Sequence, residues 1–381
     1  MRSKLRALPY VILLLPLDLV VALGLSLTVL AGVLKRGRKQ PQEAQDAQEG
    51  VPYCASCASC GCAATGSVTI LIVNWDGKHL LQECLPSVIE AITCDGGNHE
   101  ILVVDNGSTD GSVEFIRKNF AQVRVVELDR NYGFTGGNNR GVEEARTDIV
   151  VFLNNDMVVD RQFLRPLLNG FSDPAVFAVT SQIFFADSTR RREETGKTRA
   201  RFERGFLYLW HDEIRPEDAN RESLPVFWAG GGSCAIDRRK FLAIGGFDAL
   251  YRPFYVEDTD LSYQAWKRGW KCLLAPASRV LHKHRSTSKA KFGNRFVDNT
   301  IRKNQFLFIW KNVTDARMIL DHIVNLPRVH GRAMLDDEPG LEIRAFFRAV
   351  RQLPEALRKR LATRPQYILS DREVFARSQK T

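Results

Sequence analysis

At 381 residues with 44% hydrophobic content, the chain can bury one large or two ordinary domains. Its formal charge of +10 suits an anionic partner, and the basic residues gather beside the first apolar stretch, in Arg190–Arg204 and towards the C-terminus. Zinc-finger spacing, RNP-type aromatic motifs and helix-turn-helix patterns are absent, which sets nucleic acid aside and leaves acidic lipid or a phosphorylated substrate.

Leu8–Leu34 is almost wholly apolar, interrupted by Pro9, Pro16 and Asp18. It is longer than the ~20 residues a bilayer crossing needs and longer than the core of a signal peptide. A persisting membrane anchor over residues 1–36 is expected. Arg2, Lys4 and Arg6 precede it, while Lys35, Arg36, Arg38 and Lys39 follow, so the domain after it is expected in the cytoplasm, whether the segment spans or re-enters. Residues 37–66 read as a flexible linker. Its Cys54, Cys57, Cys60 and Cys62 lack a second ligand pair, which favours lipidated or free thiols over a bound metal. Cys84, Cys94, Cys234 and Cys272 lie in apolar segments and read as reduced, buried thiols.

From Val68 the pattern alternates strand and helix. Val68–Val73, Ile101–Val104, Val123–Leu128 and Ile149–Leu153 are β-branched runs, and helices carrying Leu81, Leu85 and Val88, then Val113, Ile116 and Phe120, lie between them. Such alternation predicts an α/β fold whose parallel sheet is covered on both faces, with ligands bound beyond the carboxyl ends of its strands. Polar punctuation stands at those ends: Asn74-Trp-Asp-Gly, Asp105-Asn-Gly-Ser and Asn154-Asn-Asp156. A carboxylate there can accept from a nucleobase or ribose, and a later one can hold a hard cation against a diphosphate. Taken alone, the Asp105–Ser112 run reads also as a turn followed by a helix cap, and it is the three strand ends in order that favour a site. The Asn131–Asn139 stretch reads as a Gly/Asn-rich loop supplying amides to phosphate or ribose, because its glycines do not match a dinucleotide fingerprint.

These motifs, taken in order, resemble family 2 glycosyltransferases: Ile70–Gly77, Val103–Gly111, Asn131–Asn139 and Phe152–Asp156, the last in the place of an Asp-x-Asp motif. The resemblance covers residues 67–312 and leans towards rhamnosyltransferase-like members. It implies the GT-A fold, a nucleotide-binding α/β half merged with an acceptor-binding half. Here Asn154 replaces one expected carboxylate, so Asp156 is the metal position. Asn154, with Asn74, Asp105, Asn106, Asn131, Gly136 and Asn138, is expected on the donor substrate. The resemblance further implies that Asp258 is the catalytic base and that Glu257 positions the acceptor, Asp260 bracing the helix. His282 is the expected second metal ligand with His284 in reserve, for Mg²⁺ or Mn²⁺. Trp228, after Val226-Phe227, offers a flat face to a sugar ring or fills the core.

The function so implied is inverting transfer of a hexose from a nucleoside-diphosphate sugar to a hydroxyl of a glycan or polyprenyl-linked glycan at a membrane. Two alternatives stand beside it. A processive polysaccharide synthase would carry several spans and a Gln-x-x-Arg-Trp motif, which neither Gln264 nor Gln305 begins. A non-catalytic sugar-binding scaffold would not need Asp105, Asp156, Asp258 and His282 together. Residues 313–381 are expected to be helical. An apolar stripe from Ile343 to Leu361, flanked by Arg344, Arg348, Arg351, Arg358 and Arg360, suits an anionic lipid surface.

Overall fold

The computed structural model describes residues 2–36, 66–187, 189, 194–283, 292–333 and 339–380. The cysteine cluster of the linker, Arg190–Arg192 and His284 lie outside the described residues. A long helix, α1 (Arg2–Arg36), comes first. From Val68 the order is β1 (Val68–Asn74), α2 (Lys78–Asp95), β2 (Glu100–Asp105), α3 (Ser112–Asn119), β3 (Val123–Glu127), α4 (Gly133–Glu144) and β4 (Ile149–Asn154). The four strands are parallel in the order β3-β2-β1-β4, with Asn74 beside Asp105 and Val73 beside Asn154. Their runs of Val, Ile and Leu follow from burial on both faces.

The second half holds β5 (Met157–Val159), α5 (Leu164–Asn169), β6 (Val176–Phe185), the hairpin β7 (Thr198–Glu203) and β8 (Phe206–His211), and the short β9 (Leu224–Pro225). Then come β10 (Ser233–Asp237), α6 (Arg238–Ile244), α7 (Glu257–Lys267) and β11 (Lys271–His282). The expected parallel sheet holds only for the first half. β10 runs antiparallel between β4 and β6, β11 is parallel to β6, and β5 is antiparallel to β11. Ser233 pairs with Leu153, so the reversed strand delivers the loop before it to the carboxyl ends of the parallel strands.

The Gly/Asn stretch is also corrected. Gly133 already begins α4, so Gly136 and Asn138 lie within a helix and not in a loop. Helix propensity disfavours glycine here, but close packing demands it. A Cβ on Gly141 would sit 2.3 Å from Leu71 Cδ1 of β1.

Four further helices follow α8 (Asn294–Asn312): α9 (Ala316–Ala333), α10 (Pro339–Arg351), α11 (Leu353–Thr363) and α12 (Asp371–Ser378). Phe306, Trp310, Leu326, Phe346, Ala356 and Val374 join the same buried cluster as Phe152 and Phe227 of the α/β body. The basic amphipathic stripe is thus split over α10 and α11: Phe346, Val350, Leu353 and Leu357 pack on the protein, while Phe347 and Leu361 stay exposed. Arg360 is not on the outer face at all. It is fully buried and donates to the Trp310 carbonyl at the end of α8 (3.2 Å). Asp371, also fully buried, accepts from Tyr263 Oη (2.5 Å), Lys267 Nζ (2.8 Å) and Thr314 N (2.7 Å), riveting α12 to α7.

Candidate active site

The aligned ends of β1, β2 and β4 are knitted by amides. Asn74 Nδ2 donates to Asp105 Oδ1 (3.2 Å) and Ser108 Oγ (3.2 Å), while Asn74 Oδ1 accepts from Asn155 Nδ2 (2.8 Å). Asn74 is wholly enclosed, so it works by holding its neighbours and does not reach a ligand itself. Asp105, 3% exposed, takes the Ser108 N–H at 2.9 Å and fixes the turn after β2. The turn after β1 is locked to it, since Asp76 Oδ1 accepts from Thr109 N (2.7 Å) and Lys78 N donates to Asp110 (2.8 Å). Trp75, in the turn after β1, is an exposed aromatic ring.

Asn106 proves to be a staple. Its Nδ2 donates to Asn131 Oδ1 (3.0 Å) and the Gly133 carbonyl (3.1 Å), and its Oδ1 accepts from Tyr132 N (2.9 Å). Asn131, exposed, also accepts from Gly133 N (2.7 Å). Asn138 is buried and donates back to the Phe134 carbonyl of its own helix (2.9 Å). Gly136, half-buried, leaves room for Tyr132, whose Cβ would lie 2.6 Å from an added Cβ. These residues therefore shape the start of α4. Asn139, which sequence reasoning passed over, grips the second half: it accepts from Phe247 N and donates to the Phe247 carbonyl, both at 2.9 Å.

Asp156 and His282, 126 residues apart, meet through Asp156 Oδ2 and His282 Nε2 at 3.1 Å. The pairing follows from β5 lying against β11, where His282 is opposite Met157. Asp156 Oδ1 is buried with no hydrogen-bond partner, a costly state that a cation would relieve. Glu194 reaches the far nitrogen of the ring, Nδ1, at 3.3 Å, the place from which a carboxylate orients a ligating histidine. Burial alone would lower the His282 pKa, but the hydrogen bonds the ring donates to Asp156 and Glu194 outweigh it and raise it to about 9. Among the described residues no three His, Cys, Asp or Glu side chains stand in ligating geometry, and Asp156 with His282 is the described pair that could share a cation. One oxygen and one imidazole nitrogen fit Mn²⁺ or Mg²⁺.

The Gly230–Gly232 loop ahead of β10 joins this region to the helix bearing the acids. The Gly232 carbonyl accepts from Asn154 N (2.9 Å), and Gly231 N reaches Asp258 Oδ2 (3.4 Å). A Cβ on Gly232 would come within 2.8 Å of Asn154 Nδ2, which is why the loop carries glycine. Asp258 also accepts from Thr259 N at 2.7 Å and Thr259 Oγ1 at 3.3 Å. Desolvation raises its pKa, and these donors pull against the rise. Glu257 has less help, its own backbone N–H alone pulling the value down. Its Oε2 is buried without a partner, and burial with the adjacent Asp258 charge raises its pKa to about 8. Two non-glycine residues before it, Tyr255 (φ 70°) and Val256 (φ 76°), adopt the left-handed region, a strained choice for a β-branched residue. Asn304 holds that turn by donating to the carbonyls of Tyr251, Phe254 and Tyr255 at 2.7, 3.0 and 2.8 Å.

Asp260 braces the same helix, as expected. It accepts from Tyr251 Oη (2.7 Å), Lys311 Nζ (2.7 Å) and Asn312 Nδ2 (2.6 Å). Trp228 is only 8% exposed, with His211 edge-on at 5.3 Å and Phe227 beside it, so of its two readings the structure supports the core aromatic.

Residues 68–243 match the family model "Glycosyl transferase family 2". The polypeptide N-acetylgalactosaminyltransferase 4 of Caenorhabditis elegans is 27% identical over 240 residues, 58% of this chain and 40% of that one. The N-acetylglucosaminyl-diphospho-decaprenol L-rhamnosyltransferase of Mycobacterium tuberculosis is 26% identical over 213 residues, 50% of this chain and 68% of that one. This chain spans only 40% and 36% of the length of two animal N-acetylgalactosaminyltransferases that it matches. Among solved structures, GalNAc-T7 with UDP, GalNAc and Mn²⁺ superposes with a TM-score of 0.51 at 18% identity, over 76% of this chain and 56% of that one. Staphylococcus aureus TarS 1-349 with UDP-GlcNAc gives 0.50 at 13% identity, over 78% and 89%. The fold is thus mixed α/β and GT-A-like, with one apolar helix preceding it. Residues 68–243 of this chain belong to glycosyl transferase family 2.

Proposed function

We propose that this chain is a metal-dependent, inverting hexosyltransferase, which moves a sugar from a nucleoside diphosphate to a hydroxyl of a glycan or lipid-linked glycan at the cytoplasmic face of a membrane. The observation that carries the reading is the Gly230–Gly232 loop, which ties Asn154 at the nucleotide-binding strand ends to Asp258 at the head of α7. In this reading Asp105 and the turn it holds face the nucleoside, and Asn154 and Asn131 contribute amide contacts to ribose or phosphate. Asp156 and His282 would hold the cation, which when bound offsets the charge of the diphosphate leaving group.

Asp258 accepts the proton of the acceptor hydroxyl as its oxygen bonds to the anomeric carbon. The bond to the diphosphate oxygen breaks on the opposite face, its electron pair leaves with the nucleoside diphosphate, and the configuration inverts. Glu257, protonated near neutral pH, can donate a hydrogen bond to the acceptor while Asp258 stays the base. The rhamnosyltransferase relative is named for a diphospho-decaprenol acceptor, and an acceptor of that class suits a chain with an apolar helix beside its catalytic domain.

Transfer of radiolabelled sugar from a panel of nucleoside-diphosphate sugars to short acceptors tests the reading. Asp258→Asn should lower kcat by roughly 100-fold or more with donor affinity nearly unchanged. A variant keeping more than about a tenth of wild-type turnover removes the assignment of the base. By calorimetry, Asp156→Ala should abolish the divalent-dependent part of nucleoside-diphosphate binding while Asn154→Ala only weakens it. Equal affinity with and without chelator in the wild type would end the metal role.

A further inference from the structure

Helix α1 carries two stripes. Leu14, Asp18, Val21, Leu25 and Thr28 are buried, at alternating spacings of four and three, the period of a helix seam. Leu15, Leu19, Val20, Leu23, Leu27 and Leu30 are 40–69% exposed on the other side. The buried stripe lies against α9 and α11. Asp18 Oδ1 meets His330 Nε2 of α9 at 3.0 Å, with both residues buried. Arg364, just past α11, donates to the carbonyls of Thr28 and of Val29, the latter at 3.3 Å. Gly24 allows the close approach of α11, since a Cβ there would stand 2.7 Å from Leu357 Cδ1.

We propose that α1 is a docked membrane anchor, fixed in orientation on the catalytic domain by the Asp18–His330 pair, and that its outer leucine stripe, with Leu320 and Val324 of α9, is the lipid-facing surface. The inference rests on the membrane placement proposed above and adds how the anchor is attached. A bilayer is the occupant the composition selects. The window Leu14–Ala31 has a mean hydropathy of 2.2, and its 18 residues reach about 27 Å as a helix, close to the ~30 Å hydrocarbon core. Only 28% of that window is buried within the protein, far less than a core helix of a soluble domain would be. Basic residues stand before and after it in sequence, as suits anionic headgroups. An acid in so apolar a helix is costly unless it is paired. Here its partner lies 312 residues away on the catalytic domain. A cleaved leader has no use for such a partner, and a freely tethered span would leave Asp18 in lipid. Asp18 Oδ2 and His330 Nδ1 have no other hydrogen-bond partner, so the pair is held by this one contact.

The test uses the full chain in isolated membranes, with Cys54, Cys57, Cys60, Cys62 and Cys94 replaced by serine and a protease site placed in the linker. Gly24→Cys with Leu357→Cys places two thiols across the α1–α11 contact, to be joined by oxidation or a short thiol-reactive cross-linker. After mild oxidation and cleavage of the linker, an N-terminal tag should stay with the catalytic domain on non-reducing gels for most of the protein, and separate after reduction. Adding Asp18→Leu should reduce that fraction several-fold. Alkaline extraction of the same membranes reads anchoring by itself. Protein that resists extraction but releases its tag after cleavage overturns docking and leaves the membrane placement standing. Protein that extracts freely overturns both. Cross-links between two copies would show that α1 docks on a second chain and overturn its docking on its own catalytic domain.

Discussion

Glu257 and Asp258 sit side by side at the head of α7, yet their surroundings divide the work between them. Asp258 receives N–H and O–H donors, while the unpartnered oxygen of Glu257 favours the proton, and burial with the neighbouring charges of Asp258 and Asp260 raises its pKa to about 8. An acid raised on folding contributes stability that is complete below its unfolded value of about 4.5 and is lost as pH rises through about 8. Wild-type protein should therefore lose on the order of a few kcal/mol of unfolding free energy between these limits, and Glu257→Gln should lose distinctly less. Urea unfolding across that range checks it, and parallel slopes would show that Glu257 ionises freely. The places of Asp105, Asp156, Asp258 and His282 at strand ends and a helix start were legible in sequence, while the roles proposed for Asp258 and His282 are what the family resemblance implies. Asn139, Glu194 and Asn304 were not, because each acts through contacts 49 to 108 residues away that no local pattern announces. Trp228, Asn74 and Asn106 show the converse. Residue type fits a ligand contact, but burial decides that they serve the scaffold.

Among elements, α4 shows how packing overrides propensity. A stretch with three glycines and two adjacent asparagines reads as a loop, but its glycines let the helix lie against β1. Gly141→Val would drive two methyl groups towards Leu71 and should cost about 1–3 kcal/mol by overpacking, measurable as a shift in the urea midpoint without loss of metal-dependent nucleotide binding. The antiparallel course of β10 was equally hidden, since Ser233–Asp237 carries no mark of direction. Amphipathic periodicity in α10 and α11 was readable, whereas the partner of the apolar face was not. A helix stripe reports that something covers it and not what.

For the whole molecule, the last helices close the structure. Asp371 pairs with Lys267, both fully enclosed, and removing either leaves a buried charge at a cost of about 3–5 kcal/mol. Deleting residues 341–381 should therefore not release a soluble transferase. It would bare Phe306 and Trp310 and strand Lys267, and the product should aggregate, or bind hydrophobic dye and lose near-ultraviolet circular dichroism. A monodisperse, active deletion product would show that these helices are an appendage.

The contact between Asp18 and His330 also carries a timetable. Their separation of 312 residues means that a ribosome working at roughly 5–20 residues per second makes the partner on the order of 15–60 s after the acid. For that interval the leucine stripe and the acid on its reverse have no domain to meet. The nascent helix must be received by a bilayer or a chaperone first and clasped by α9 afterwards. Chains stalled on the ribosome before Val329 should accordingly already sediment with membranes. On the proposed membrane placement, assembly runs from the membrane inward: the apolar helix would reach lipid before the helix that clasps it exists.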